Sequence, residues 1–348
     1  SSDTSADLPG TSTSDGNDDV RCAFGNNIFV ACDGRKLYSS SDGDAWTERL
    51  DFNDWSGTHA NTKWGSANRL ICDSSNTFYI TSNNHVHKST DGQTWTQIAT
   101  QLYVTNVATD GNATEGSRKI VLTGSSGMSV YSSDGGATWA GGSNRVHYGN
   151  YANVIGMDYG QSGYFSAISY EKATGGGHSG NHYVHYSTNG GFSWTTRTSP
   201  FGSSSDFYRG IVWTGTNWII VGYDTSASNG IIQVGSDITG TFTDKTPSEA
   251  TGNPLYNVKY YGGIVWAVGE DHILKSTDHG DTWTVLEDDS ELTGKTLLDV
   301  AYDGSSALMV TGEDQFVSAP AYDAGNADEG YEILLEDGLP PSDGDYTS

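Results

Sequence analysis

The sequence is poor in basic residues and in long apolar runs, and each shortage excludes a class of function. Only 17 Lys and Arg oppose 43 Asp and Glu in 348 residues, for a formal net charge of −26. Such a surface repels nucleic acid and anionic membranes, because binding there requires cations that neutralise phosphates. No apolar run approaches the ~18 residues of a membrane span. We therefore expect no nucleic-acid partner and no membrane insertion.

Cysteine and metal-binding motifs are also scarce. Cys22, Cys32 and Cys72 are too few for a complete disulfide framework, and no C-x-x-C spacing occurs. Cys22 and Cys32 flank a predicted hairpin turn at 25–27, so they either face each other or remain buried free thiols. The acidic surface is either simply solvated or has an affinity for a divalent cation such as calcium. No motif indicates a cation, and we expect no cofactor.

What the sequence does contain is glycine and aromatic residues arranged in a repeat. There are 45 Gly, 20 Tyr and 10 Trp, a mixture that favours short strands joined by tight turns. One phrase recurs along the chain: SSSDGDAW (39–46), KSTDGQTW (88–95), YSSDGGATW (131–139), YSTNGGFSW (186–194) and KSTDHGDTW (275–283), with a degenerate copy at 234–242. The large rings of these copies are 49, 44, 55, 48 and 41 residues apart. A period of about 45 residues is typical of a repeat architecture.

Each repeat contains the same series of predicted strands. A strand ends in a turn, a more apolar strand follows, a third strand enters the repeated phrase, and a short fourth strand begins at the Trp. Four strands in about 45 residues are typical of a propeller blade. We predict an all-β fold, a seven-bladed β-propeller with four antiparallel strands per blade over residues 20–335, counting a weak last unit. Polar tails at 1–19 and 336–348 would flank it.

The repeated phrase reads as the turn between the third and fourth strands. Glycine admits the backbone angles of a tight turn, and Ser and Asp side chains bond the turn's own amides. The pattern S-x-D-x-G-x-T-W resembles the Asp-box, or BNR repeat, of sialidase-like propellers of the kind found in phage virion and bacterial surface proteins. The predicted structural residues are Ser40, Asp42, Trp46, Ser89, Asp91, Trp95, Ser132, Asp134, Gly136, Trp139, Ser187, Asn189, Gly191, Trp194, Ser276, Asp278, Gly280 and Trp283.

Long insertions are expected on the face opposite these turns, over blades one, four and five. Loops on a rigid scaffold commonly carry function. Rings and polar groups there fit glycan recognition, or else they anchor their own loops. The candidate binding residues are Asp54, Trp55, His59, Trp64, Arg145, Tyr148, Tyr151, Tyr170, Glu171, Phe201, Asp206 and Arg209. His178, His182 and His185 have a spacing that could hold a metal, but a chance His-rich loop is the simpler interpretation.

The resemblance implies a sialidase-like fold but not its activity. Sialidases of that family use three arginines, the first in an R-I-P motif, and none of the eight Arg here precedes Ile-Pro. No catalytic residues are assigned, although a carboxylate pair in a glycoside hydrolase is an alternative. The tails have the composition of linkers that become ordered on a partner, and the chain begins at Ser1 without Met, as after trimming or precursor cleavage. We expect a non-catalytic subunit of a virion or cell-surface assembly, in contact with other subunits through its tails and with a glycan or protein through its loop face. A further alternative is an assembly chaperone resembling the photosystem factor.

Overall fold

The computed structural model describes most of the repeat region and omits the tails. It covers residues 20–32, 36–43, 45–51, 67–82, 85–100, 104–124, 127–141, 145–146, 152–171, 182–197, 206–286, 294–305, 308–312, 315–319 and 334–337. The tails at 1–19 and 338–348 lie outside the described residues. The helices in the described ranges are three single-turn 3₁₀ segments, and none of them is long and apolar enough to cross a membrane.

The strands form antiparallel four-stranded sheets in sequence order, each strand pairing with the next. Blades one to three comprise β1 (Arg21–Gly25), β2 (Ile28–Cys32), β3 (Lys36–Ser40), β4 (Thr47–Asp51), β5 (Ala67–Cys72), β6 (Phe78–Ser82), β7 (His85–Ser89), β8 (Thr96–Thr100), β9 (Val104–Thr109), β10 (Ile120–Gly124), β11 (Ser129–Ser132) and β12 (Ala140–Gly141). Blades four to six comprise β13 (Ala152–Gly160), β14 (Tyr164–Glu171), β15 (His182–Ser187), β16 (Thr195–Arg197), β17 (Asp206–Trp213), β18 (Trp218–Asp224), β19 (Gly230–Gly235), β20 (Thr243–Asp244), β21 (Leu255–Tyr261), β22 (Ile264–Gly269), β23 (Ile273–Ser276) and β24 (Thr284–Val285). A seventh sheet comprises β25 (Leu297–Tyr302), β26 (Leu308–Gly312), β27 (Gln315–Ala319) and β28 (Leu334–Asp337).

The prediction of seven blades, each with its own turn between the third and fourth strands, needs a correction. Seven four-stranded sheets are present by backbone pairing. Only six of them are full blades in which all four strands carry described side chains and the third strand leads to a large ring. The seventh sheet is described with side chains in β25 and β26 alone, and its sequence lacks the repeated phrase. Among the described residues the full blade pattern therefore occurs six times and not seven, because the sequence of the last repeat lacks the phrase that forms this turn in the other blades.

The core consists of apolar clusters between adjacent sheets rather than one central cluster. The second strand of a blade is apolar on both faces and fully buried, as in Ile28–Cys32 and Phe78–Ser82. Ala23, Val30 and Leu37 of blade one pack against Leu70 and Phe78 of blade two. Similar clusters join each following pair of sheets. Burial of one apolar side chain contributes about 1.5–3 kcal/mol, so these interfaces are the main source of stability.

The ring closes by contact between the two ends of the described chain. Cys22 and Phe29 of blade one pack against Ala301 and Met309 of the seventh sheet. The Thr311 hydroxyl donates to the Val20 carbonyl at 2.7 Å across the same seam. The fourth strand of the seventh sheet is its own β28, which follows β27 in the chain. Among the described residues, which exclude both tails, the ring thus closes by packing between sheets, with no strand exchanged between the ends.

The three cysteines are free thiols. Cys22 pairs across the hairpin with Ala31, while Cys32 pairs with Arg21. The two thiols therefore point to different sheet faces: Cys22 lies at the seam with the seventh sheet and Cys32 lies against blade two. Of the two interpretations open from the sequence, the structure has buried free thiols.

A buried guanidinium joins blades two and three, and its removal gives the first prediction. Arg118 lies 3.6 Å from the Asp73 carboxylate, with both side chains at most 5% exposed, and donates to Thr77 and Tyr79. Arg118→Met leaves Asp73 buried without its cation, so we expect the free energy of unfolding to fall by about 3–5 kcal/mol. Urea denaturation measures this loss.

Lys245→Met is the matched control, because it removes a cation from an exposed ion pair with Asp281. Exposed pairs contribute about 0–1 kcal/mol. Equal losses in the two variants would contradict the assigned role of Arg118.

Candidate functional site

The repeated turn is held by hydrogen bonds between its own serine and aspartate. In blade three, Ser132 donates to Asp134 at 2.7 Å and accepts the Gly136 N–H at 2.8 Å. Asp134 also accepts the Thr138 N–H at 2.9 Å and the Thr138 hydroxyl at 2.5 Å. These bonds from Thr138, with the one from Ser132, lower the pKa of Asp134 to about 2. The Asp134 carboxylate is thus the hydrogen-bond acceptor for donors within the same turn.

The same serine–aspartate turn recurs with small changes in other blades. Ser276 and Asp278 repeat the blade-three geometry with Gly280 and Thr282. The shorter copies keep the serine-to-aspartate bond at Ser40–Asp42 and Ser89–Asp91, at 2.8 and 2.9 Å.

In blade four, Asn189 and Ser193 replace the aspartate and threonine of the turn. The Asn189 amide donates to Ser193 at 2.8 Å, so the contact remains while the donor changes sides. The copy at 234–242 is different, since Asp237 bonds Thr239 only two residues on.

The ring that follows each turn lies between its own blade and the preceding one. Trp139 packs in the cluster of blades two and three and donates its indole N–H to the Ile98 carbonyl of blade two at 3.0 Å. Trp194 donates across to Ser129 of blade three at 3.2 Å. The rings of the other blades, Trp46, Trp95, Phe242 and Trp283, lie in the corresponding clusters. Each of these rings therefore lies at an interface between adjacent sheets.

The predicted binding face is described only in part. Asp54, Trp55, His59, Trp64, Tyr148, Tyr151, Phe201 and His178 lie outside the described residues, as does the side chain of Glu171. Arg145 is exposed. Tyr170 and Asp206 lie at the ends of β14 and β17 on the long-loop face, and Arg209 lies three residues further along β17. The predicted residues that the structure brings together are Tyr170 and Arg209.

Tyr170 and Arg209 belong to a cluster of rings that we call the arginine–aromatic cluster, made of Tyr170, His182, Phe207, Arg209, Tyr223 and Tyr256. The Arg209 guanidinium carbon lies 4.5 Å from the Phe207 ring centroid and 5.7 Å from those of Tyr223 and Tyr256. A guanidinium over several rings is bound by cation–π attraction. Among the described residues, the buried Arg209 Nε has no hydrogen-bond partner. The cluster therefore contains an N–H donor, Arg209 Nε, that no described residue accepts.

The backbone explains how Arg209 comes to lie over these rings. β17 has a bulge between Tyr208 and Gly210, which leaves Arg209 out of register with β18. β21 has the corresponding bulge between Leu255 and Asn257, which displaces Tyr256 in the same way. A bulge re-aims the side chain of its extra residue. The two displaced residues meet at the junction of blades five and six.

The pKa values of two members of the cluster, Tyr256 and His182, are shifted by burial and by nearby charges. The Tyr256 hydroxyl donates to Glu270 at 3.0 Å, and burial followed by the charge of Glu270 raises the pKa of Tyr256. Burial, assisted by Arg209, lowers the pKa of His182 to about 4. His182 is therefore neutral at pH 7, and Arg209 supplies the positive charge.

Sequence reasoning missed Phe207, Tyr223 and Tyr256. Tyr223 opens an insertion already recognised in blade five, so its position contained a signal. The sequence around Tyr256 contained no such signal, because Tyr256 lies in an inner strand and reaches the cluster only through the bulge in β21.

The spacing of the histidines does not produce a metal site in the described structure. His185 contacts the Ser169 hydroxyl at 2.7 Å and the Thr196 hydroxyl at 3.1 Å, whereas His182 stacks on Tyr170. Within the described ranges, no group of three or more His, Cys, Asp or Glu side chains could hold a metal ion. The expectation of no cofactor, with a divalent cation such as calcium as the alternative, stays a prediction.

The central channel contains charged residues that the pattern of apolar strands did not predict. Lys259 of blade six lies 3.2 Å from Asp299 of the seventh sheet, and Asn257 donates to the same carboxylate at 2.9 Å. Asp158 of blade four accepts the Trp213 N–H at 2.7 Å. Burial, partly offset by that hydrogen bond, raises the pKa of Asp158 to about 6.

Comparisons with known proteins show the fold alone. No family model and no curated protein matches the chain. Among solved structures, YCF48 from Cyanidioschyzon merolae is 16% identical, with a TM-score of 0.55, over 85% of this chain and 93% of that one. YCF48 bound to D1 peptide is 15% identical, with a TM-score of 0.60, over 88% and 92%. An ancestral GH74 enzyme is 14% identical, with a TM-score of 0.61, over 91% of this chain and 46% of that chain. The chain is similar to these β-propellers in fold.

The serine–aspartate turn gives a prediction about stability. Ser276 is buried, and its hydroxyl is the acceptor for the buried Gly280 N–H at 2.8 Å. Ser276→Ala leaves that donor without a partner, so we expect a loss of about 1–3 kcal/mol in the free energy of unfolding. Ser226→Ala, which removes an exposed serine-to-aspartate bond in blade five, is the control and changes little. A loss as large in the control would contradict the role of the buried turn.

The half-buried Asp158 side chain gives a prediction about pH. Its pKa in the folded protein is above the ordinary value of 3.8, so the folded state binds this proton more tightly than the unfolded state. Ionisation as the pH rises through about 6 therefore costs stability. Asp158→Asn cannot ionise and keeps an acceptor for Trp213. We expect it to be more stable than the wild type at pH 8, by up to about 3 kcal/mol, with a smaller difference at pH 4.5.

Urea denaturation at the two pH values measures the effect of Asp158. The exposed carboxylate of Asp281 provides the control variant Asp281→Asn, for which no such pH-dependent gain is expected. A variant Asp158→Asn that is less stable than the wild type at both pH values would contradict the effect.

Proposed function

We propose that this chain is a non-catalytic binding propeller, a subunit of a virion or cell-surface assembly, and that its long-loop face binds a segment of a partner protein. The observation that carries the proposal is the arginine–aromatic cluster at blades four to six. Tyr and Arg are enriched among the residues that dominate binding energy at protein interfaces. Arg209 is suited to such a contact for two reasons. Its guanidinium stacks on aromatic rings, and its buried Nε has no hydrogen-bond partner among the described residues.

The charge of the protein favours this position for a contact. In a chain with 43 acidic and 17 basic residues, an arginine on the long-loop face is a local exception. A partner segment with a carboxylate and a flat apolar group would match the guanidinium and the neighbouring rings. The structural neighbour that is bound to D1 peptide supports the idea that a propeller of this shape can hold a polypeptide.

The serine–aspartate turn supports membership of the Asp-box propellers as part of the proposal. Its hydrogen bonds in blades three and six follow the full S-x-D-x-G-x-T-W pattern, and blade four keeps the contact through Asn189 and Ser193. The acidic composition and the linker-like tails are the support for a place in a larger assembly.

The main alternative is a glycoside hydrolase, which the fold permits because a GH74 enzyme is among the structural neighbours. The candidate binding residues include three acidic ones that could form the carboxylate pair of such an enzyme. Asp54 and the side chain of Glu171 lie outside the described residues, and Asp206 stands at the start of β17. An assembly factor such as YCF48 is also compatible with the fold and would share the proposed mode of protein contact.

The test is a binding screen with a matched pair of arginine variants. Labelled protein is applied to an immobilised library of random peptides and to a glycan array. We expect peptide binding, with an affinity that falls on the order of tenfold in Arg209→Gln, the loss of an interfacial arginine contact worth roughly 1.4 kcal/mol. Arg49→Gln, which alters an outer strand of blade one where Arg49 donates to Ser39, is expected to bind as the wild type does.

Three results would overturn parts of the proposal. Binding to glycans alone excludes a protein partner. Equal binding by wild type and Arg209→Gln, when the variant has the wild-type melting temperature, excludes the arginine–aromatic cluster as the site. Release of reducing ends from any oligosaccharide on the array excludes a non-catalytic role.

A further inference from the structure

A cavity of about 200 Å³ lies in the central channel. Its wall is formed by the inner strands β5, β9, β13, β17 and β21 and by the turns that follow them, on the side of the serine–aspartate turns. Part of the wall is apolar and part is charged, and its lining includes Arg69, Ile71, Val107, Asp158, Val212 and Lys259.

The inner strands carry a ring of corresponding positions at the upper end of this cavity. Each of β5, β9, β13, β17, β21 and β25 has one bulge. The residue after the bulge pairs with the fourth or fifth residue of the apolar second strand. The residues at these positions are Arg69, Asn106, Gly156, Gly210, Asn257 and Asp299, with Cys22 in the unbulged β1.

The polar side chains of this ring are satisfied with one exception. Asn106 donates to the Val154 carbonyl at 2.7 Å, and Asn257 donates to the Leu298 carbonyl and to Asp299. Asp299 in turn accepts the Cys22 N–H and pairs with Lys259. Each of these contacts crosses from one sheet to the next.

Arg69 is the exception. Its side chain is 9% exposed, its Nε has no hydrogen-bond partner, and the described residues offer it no ion pair. Burial lowers the pKa of Arg69, and the charges of Asp299 and Asp158 offset this only from beyond ion-pair distance. The positions that could have supplied a partner from blades four and five are Gly156 and Gly210. A buried charge without a partner is costly.

We propose that the cavity binds a small organic carboxylate whose two oxygens pair with the Arg69 guanidinium. The planar fork of a guanidinium matches a carboxylate in a bidentate pair. The apolar wall of Ile71, Val107 and Val212 accommodates a short aliphatic or aromatic group on the same molecule. A phosphate dianion fits less well, because Asp158, Asp73 and Asp110 also line the cavity and repel a second negative charge.

The site is independent of the proposed function. None of the residues that line the cavity belongs to the arginine–aromatic cluster. Arg209 and Tyr256 are the bulge residues of β17 and β21, and the rest of the cluster lies on the far side of those bulges from the cavity. Binding of a carboxylate in the channel and binding of a partner at Arg209 can therefore each fail without the other.

Thermal unfolding of the full chain tests the site with two probes, sodium butyrate and sodium benzoate. Sodium chloride at equal ionic strength and sodium phosphate are the comparison salts. We expect one or both carboxylates to raise the melting temperature by roughly 2–4 °C at millimolar concentration, and phosphate to raise it less. Arg69→Met abolishes the shift, and its own melting temperature is no lower than that of the wild type, because the buried charge is removed. Arg49→Met keeps the full shift.

The contrary outcomes are equally definite. No shift with either carboxylate, a shift that persists in Arg69→Met, or an equal shift with phosphate overturns a carboxylate site at Arg69. If Arg69→Met fails to fold, a crystal structure of the wild-type protein grown with sodium benzoate decides. Benzoate paired with Arg69 supports the site, and benzoate elsewhere or absent overturns it.

Discussion

Every blade of this protein depends on the apolar contact that a neighbouring sheet makes with each of its two faces. Strands such as Phe78–Ser82 are buried throughout, so an isolated blade would expose apolar side chains on both sides. The serine–aspartate turns strengthen this contact, since they aim a large ring at the interface with the preceding blade. Trp139 and Trp194 add a hydrogen bond across that interface. Closure of the ring is the condition under which all faces are covered, and the turns and the channel take their positions from it.

The local parts of this arrangement could be predicted from the sequence. Turn residues such as Ser132, Asp134 and Gly136 interact within five positions, so their spacing contains the geometry. The strands and their order follow from apolar runs between turn signals. The count of full blades was wrong by one, because the last repeat keeps the strand pattern and lacks the turn. The sequence contained a signal for this error, because no Ser-x-Asp phrase follows the third strand of the last repeat.

The residues of the candidate sites could be predicted only where they lie beside a long insertion in the sequence. Tyr170 and Arg209 stood beside insertions and were found, whereas Tyr256 required knowledge of a bulge in β21. The channel residues gave a weak signal, a single charge inside an otherwise apolar strand, as for Lys259 and Asp158. Their meaning depends on partners up to two hundred residues away, such as the Leu70 carbonyl that lies 3.4 Å from Lys259. Sequence spacing does not contain such distances.

The turns have a direction that concerns how the ring is made. Gly92 of blade two lies against Ile28 and Val30 of blade one, Gly191 of blade four lies against Val121 of blade three, and Gly280 of blade six lies against Ile219 of blade five. The turn of each of these blades therefore packs against the blade that precedes it in the chain. As a ribosome delivers domains from the amino terminus onward, every new blade meets a docking surface that has already been synthesised. Among the described residues, Trp46 of blade one differs, because its neighbour is the seventh sheet, so the first blade to emerge is the last to be completed.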